Sequence, residues 1–141
     1  MPTIRLTTRT EADDFIRGLT FMGTGGGGRP EAGRENLYRH IDKGQAVGWT
    51  DLSELDDDVY ACCAFTMGST APRPPDFRDR EWPEYGTRDM GSALPRAVRE
   101  LEEYTGTRVS VIYALELGAA NTTGPIHCAA ELGLTVADGA Q

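Results

Sequence analysis

The sequence predicts an α/β domain built on a mainly parallel sheet, a three-layer sandwich, and three observations carry that reading. Residues 59–65 form a continuous apolar run of the length of a buried strand, and 108–115 and 134–137 read as a second and a third. Between them lie stretches with apolar residues at helical spacing, at 90–105 and 124–132. Strand, helix, strand, helix, strand in that order closes by right-handed crossovers into a parallel sheet. A chain of 141 residues is the size of one domain and can bury a real core, so residues 1–141 are read as a single unit.

Taken in order, residues 4–7 alternate apolar and polar, as a short strand or an extended arm would. Thr10 with Asp13 has the form of a capping box, and Phe15, Ile16, Leu19 and Met22 follow on one face, so a helix is expected over 11–22. It runs into Gly23-Thr24-Gly25-Gly26-Gly27-Gly28, which holds five of the seventeen glycines. Pro30 suits the first turn of a second helix over 30–43, with Gly33, Leu37 and Ile41 on one stripe and Gly44 as its stop. His40, beside that stripe, is read as a packed or surface residue. Residues 45–49 are expected as a short strand, and 51–58 as an acidic connection with Leu52 and Leu55 turned inward.

Residues 71–88 are rich in proline and charge, and a loop of that length is a lid, a partner contact or a floppy insertion. Trp82 inside it hints at a contact. Leu94, Ala97, Val98 and Leu101 mark the helix over 90–105, with Pro95 in its first turns and Gly106 past its end. The last helix is expected to open at Gly124-Pro125 and close at Gly133, which puts His127 in its first turn, capping or exposed.

A glycine run buries nothing, but it lets the backbone take positive φ and brings peptide N–H groups close to a ligand. A flexible connector is the other reading. Gly23, Gly25 and Gly28 satisfy G-x-G-x-x-G with Asp51 downstream, yet a dinucleotide site needs a strand before the first glycine. Here a helix precedes it. No Gly-Lys-Ser/Thr follows, so the phosphate loop is excluded as well. In parallel sheets ligands sit beyond the carboxyl ends of the strands, where Met67-Gly68-Ser69, Glu116-Leu117-Gly118 and Asp138-Gly139 emerge. Glu116 and Asp138 are thus expected to face one crevice, where two carboxylates can divide acid and base work. Helix capping and turn formation are the plainer roles for both.

Composition removes several classes of function. The net charge is −8, and no stretch combines lysine or arginine with interleaved aromatics, which argues against nucleic acid. No apolar run approaches the roughly 20 residues of a membrane span, and the first ten residues lack a signal-peptide core, so a cytoplasmic protein is expected. Cys62, Cys63 and Cys128 offer neither a disulfide framework nor metal-ligand spacing and read as reduced core residues. No metal or cofactor is expected.

Three segments together carry a resemblance. These are residues 23–28, Glu116-Leu117-Gly118-Ala119-Ala120-Asn121, and the closing run from Ala129 through Gly133-Leu134-Thr135-Val136-Ala137-Asp138-Gly139. In that order they resemble the N-terminal domain of the S-methyl-thiohydantoin desulfurase family, relatives of the hydantoinase and oxoprolinase group, across nearly the whole chain. Family members read roughly Gly-Thr-Gly-Gly-Gly-Gly, then Glu-Ile-Gly-Gly-Ala-Asn, then a close with two aspartates before the last glycine. This chain departs in having Ala119 for a glycine, Thr135 for a proline and a single closing aspartate, Asp138.

The resemblance implies a Rossmann-like domain lacking the family's β-rich, swivelling second domain, which a separate subunit would supply. It implies a small cyclic amide, imide or thiohydantoin-like substrate, opened by water or closed in reverse. Gly25, Gly26, Gly27 and Gly28 would hold a ring carbonyl, with Gly68, Ser69 and Gly118 lining the substrate site. Glu116 would act as general base or acid, Asn121 would orient the ring, and Asp138 would position water or a ring N–H. A non-catalytic scaffold subunit is the alternative reading, and a stand-alone nucleotide-binding domain a third.

Overall fold

The computed structural model describes residues 2–67 and 93–139. Loop 71–88, with Trp82, and the candidates Gly68 and Ser69 lie outside the described residues. Five strands, β1 (Ile4–Leu6), β2 (Val47–Asp51), β3 (Ala61–Cys63), β4 (Val111–Tyr113) and β5 (Thr135–Asp138), form one sheet in the order β1-β2-β5-β4-β3. β1 runs antiparallel to β2, and every other pairing is parallel. Four helices pack with it, α1 (Arg9–Met22), α2 (Pro30–Ile41), α3 (Ala93–Thr105) and α4 (Ala119–Leu132). The architecture is the expected α/β fold with a mostly parallel sheet, consistent with a three-layer sandwich.

α1 starts two residues earlier than expected. Thr8, not Thr10, is the N-cap: its hydroxyl accepts from Glu11 N at 3.2 Å, and Glu11 Oε2 accepts from Thr8 N at 3.0 Å. Asp13, assigned to the box from sequence, instead ties α1 to α2 by accepting from Arg34 Nε at 2.8 Å and the Tyr38 hydroxyl at 2.7 Å. Ala12, Ile16 and Leu19 form the buried face, while Met22 is 59% exposed and lies off it. Phe15 stacks on Trp49 of β2, with centroids 4.7 Å apart.

α4 is the largest departure. It begins at Ala119, so Pro125, expected in the opening turn, lies inside the helix. A proline there removes one main-chain bond. The helix start is secured by other means: Gly27 O accepts from both Ala120 N and Asn121 N at 3.0 Å, and Thr122 Oγ1 accepts from Gly118 N at 3.1 Å. His127 is therefore well inside the helix and buried. The run 59–65 supplies only the three-residue β3, which lies at the edge of the sheet among the described residues, and Tyr60 and Phe65 are exposed. Leu52, expected to turn inward, is exposed too, in a short 3-10 turn over Leu52–Glu54.

Two contacts set how closely the helices approach. A Cβ on Gly33 of α2 would lie 2.7 Å from Ala119 O of α4, and one on Gly27 would lie 2.4 Å from Gly118 Cα. On α3, Glu102 is 7% exposed and accepts from Val109 N at 2.9 Å and Arg99 Nη1 at 2.9 Å, joining the helix to the segment that leads into β4.

Two outcomes follow for stability. Gly27→Ala meets backbone at a positive φ of 74° and should cost about 2–4 kcal/mol, whereas Gly25→Ala, at φ 96° with open space around it, should cost about 1 kcal/mol, both read as melting shifts. The hydrogen bond from Val109 N, and then that from Arg99, hold the Glu102 carboxyl below its ordinary value. Its contribution is complete above the unfolded value of about 4.5 and is lost as pH falls through the lower folded value. Glu102→Gln should therefore melt earlier than the parent at neutral pH, with the gap closing in acid.

Candidate active site at the carboxyl edge of the sheet

The glycine loop follows the end of α1, so the helix ahead of it that excludes a dinucleotide fingerprint is present. Gly25, Gly27 and Gly28 take φ of 96°, 74° and 83°, and Thr24 takes 48°. Gly26 N is used within the loop, donating to Gly23 O at 2.8 Å. The amides of Gly25, Gly27 and Gly28 have no acceptor among the described residues. Gly27 lies on Gly118, and a Cβ on either would penetrate the other's main chain. Gly28 similarly abuts Ala120. The loop is thus seated on the turn that carries Glu116.

Glu116 leaves β4 and stays exposed, with Oε1 accepting from Asn121 Nδ2 at 2.5 Å. Thr122 Oγ1 donates to Glu116 O at 3.2 Å, so one threonine pins both ends of the turn from 116 to 118. Glu116, Gly118, Asn121 and the glycine loop are therefore neighbours, joined through the first turn of α4.

Asp138 ends β5 and lines a cleft of about 120 Å³ together with Phe15, Leu19, Trp49, Leu117 and Thr122. Glu116 is not part of that lining, although Leu117 is. The walls are mainly apolar, and Asp138 is the charged group among them; it makes no hydrogen bond or ion pair among the described residues. Its register partner on β2 is Asp51, which sequence reasoning placed only in a connection. Asp51 accepts from Ser53 Oγ at 2.6 Å and Ser53 N at 2.8 Å, and these bonds hold its carboxyl below the ordinary range. The signal for Asp51 was its place as the last residue of a strand, directly before a turn whose Ser53 it caps, visible only once β2 is placed at residues 47–51.

His40 is packed, one of the two places expected for it, whereas His127 is buried rather than capping or exposed. His40 on α2 and His127 on α4 are 1% and 3% exposed, and His40 Nε2 lies 2.7 Å from His127 Nδ1. All three cysteines are free; Cys62 and Cys128 occupy the core as expected, while Cys63 is only half-buried. Burial pushes the Cys62 and Cys63 thiols up, and the Cys128 thiol up to about 12.

Fold and cleft together define an α/β domain whose crevice lies where the parallel strands end. The chain belongs to the S-Me-THD-like N-terminal domain family, whose model matches residues 10–140. Among solved structures it is similar to a protein from Chromobacterium violaceum determined by X-ray crystallography in a structural genomics programme. The two are 24% identical with a TM-score of 0.68, and the match covers 98% of this chain and 35% of that one. At that identity the likeness shows the fold, and the chain spans about a third of that protein's length. No curated protein matches.

Alkylation tests the reading of the thiols. With iodoacetamide at about pH 8, half-buried Cys63 should react ahead of Cys62, and Cys128 should stay unmodified until the fold is lost, as followed by peptide mass spectrometry. Rapid native-state labelling of Cys128 would contradict its burial.

Proposed function

We propose that this chain is the smaller part of a two-component enzyme acting on a small cyclic amide, imide or thiohydantoin-like heterocycle. The observation that carries the reading is the seating of Gly27 on Gly118, two residues after Glu116. It brings the glycine loop, whose Gly25, Gly27 and Gly28 amides have no acceptor among the described residues, against the turn that carries Glu116, a carboxylate engaged by the Asn121 amide. In this proposal the amides of Gly25, Gly27 and Gly28 accept the charge that develops on a ring oxygen. Glu116 takes a proton from water as the new C–O bond forms at the ring carbon. The ring C–N bond of an amide or imide, or the exocyclic C–S bond of a thioimidate, then breaks, and the proton passes to the departing nitrogen or sulfur. Asn121 fixes the carboxylate and contacts the ring, and Asp138 at the cleft holds water or a ring N–H. Ring closure is the same path reversed.

The cleft, as the described residues line it, is small for a heterocycle, which supports a further segment or polypeptide that completes the site. Membership in the S-Me-THD-like family supports the substrate class. A scaffold role is favoured by one feature, the engagement of Glu116 by Asn121 at 2.5 Å, which also suits a purely structural cap.

Glu116→Gln separates the two readings. In the chain reconstituted with its co-purifying partner, catalysis predicts a fall in kcat of at least about a hundredfold, measured as ring opening of a hydantoin or thiohydantoin. Unchanged kcat in a variant that still assembles would assign the chain to the scaffold role.

A further inference from the structure

The two histidines of the chain meet in the interior, 87 positions apart in sequence, at the interface of α2 and α4. Burying an imidazole costs free energy unless its polar atoms are matched, and a pair of aliphatic side chains would pack there without that demand. His40 Nδ1 is 3.1 Å from Gln45 Oε1, a carbonyl oxygen that accepts the Nδ1 proton. That bond leaves Nε2 as the atom with the lone pair. Nε2 points at His127 Nδ1, and Glu131, one turn beyond His127 on the same face of α4, brings Oε1 to 3.8 Å from it.

We propose that His40, His127 and Glu131 form a site for a divalent first-row metal ion of the zinc type, clamping α2 to α4. The three ligand atoms, His40 Nε2, His127 Nδ1 and a Glu131 carboxylate oxygen, lie within 4.8 Å of one another. Two imidazoles and one carboxylate are the donors that such ions prefer, and three protein ligands leave a further position for water. Gln45 does for His40 what a supporting carbonyl does in metal centres generally: it fixes the tautomer and the ring plane.

The fit is close. Nitrogen atoms bound to one tetrahedral zinc stand about 3.4 Å apart, given bonds of about 2.1 Å. The rings therefore part by some tenths of an ångström from their 2.7 Å contact. Glu131, whose side chain is 43% exposed, moves inward by a rotamer change. In the metal-free protein a proton on His127 Nδ1 bridges to His40 Nε2. On metal binding His127 takes its other tautomer, the proton passing by exchange from Nδ1 to Nε2, so that both rings bind as neutral ligands.

The sequence concealed this site. His127 and Glu131 are four apart, a ligand spacing on a helix, but the expected start of α4 put His127 in a first turn, and nothing local links either residue to His40. The inference stands apart from the proposed reaction, because the clamp lies between helices and draws on none of the residues assigned to catalysis.

The test is titration of the chain, freed of metal by a chelator, with zinc and with cobalt(II). The expected result is one equivalent bound, a rise in melting temperature on zinc addition, and a visible ligand-field spectrum with cobalt. Glu131→Gln alters a half-exposed side chain, preserves the fold, and should weaken zinc binding at least about tenfold; His127→Gln, checked for its circular dichroism, should abolish the cobalt spectrum. Cys63→Ser should leave both readouts unchanged. Absence of saturable binding to the folded chain overturns the site, as does binding that Glu131→Gln leaves intact or that Cys63→Ser removes.

Discussion

One backbone contact governs the arrangement of everything around the candidate site. Gly27 and Gly118 meet without side chains, closer than any residue bearing a Cβ would allow, and the Gly27 carbonyl closes the open end of α4. A helix start normally draws on a side-chain cap, but Gly118 has none to offer. The main chain of a distant loop takes that part instead. With its carbonyl turned to α4, Gly27 joins two distant parts of the chain, and the amides of Gly25, Gly27 and Gly28 have no acceptor among the described residues.

The helices draw together by related means. Gly33 lets α2 lie against the first carbonyl of α4, while Thr123 satisfies that carbonyl from within and accepts from Asn36 of α2. Polar groups at this interface are matched one by one, the histidine pair included. Burial without a partner is confined, among the described residues, to the Thr50 hydroxyl. An interface so thoroughly matched tolerates little sliding, and little sliding is what a precisely aimed turn from 116 to 121 requires.

Much of the architecture was legible because it is written in local pattern. Alternating strands and helices from residue 59 onward gave the parallel sheet, and Pro30 marked the first residue of α2. The misplaced elements have a common cause. Gly124-Pro125 carries a strong opening signal, but the cap that allows α4 to start at Ala119 comes from Gly27, which no window around residue 119 contains. Likewise the apolar run at 59–65 reads as fully buried, since nothing local reveals that β3 lies at the sheet's edge among the described residues. At the site, the glycine loop and the Glu116 turn could be named from sequence, whereas their contact could not. Asp51 and the histidine pair depended on register and helix phase and were invisible for the same reason.

That dependence on distant partners has a bearing on how the chain acquires its shape. The joint between the first two helices is completed by main-chain groups from the final quarter, and Asn36 waits on Thr123 across 87 positions. Emerging from the ribosome, the first forty residues can form the Asp13 bonds between α1 and α2, but the contacts that Gly27, Gly33 and Asn36 make with α4 wait until the last crossover has been made. Loop closure over such spans is slow and entropically costly, so assembly here is a late and cooperative event.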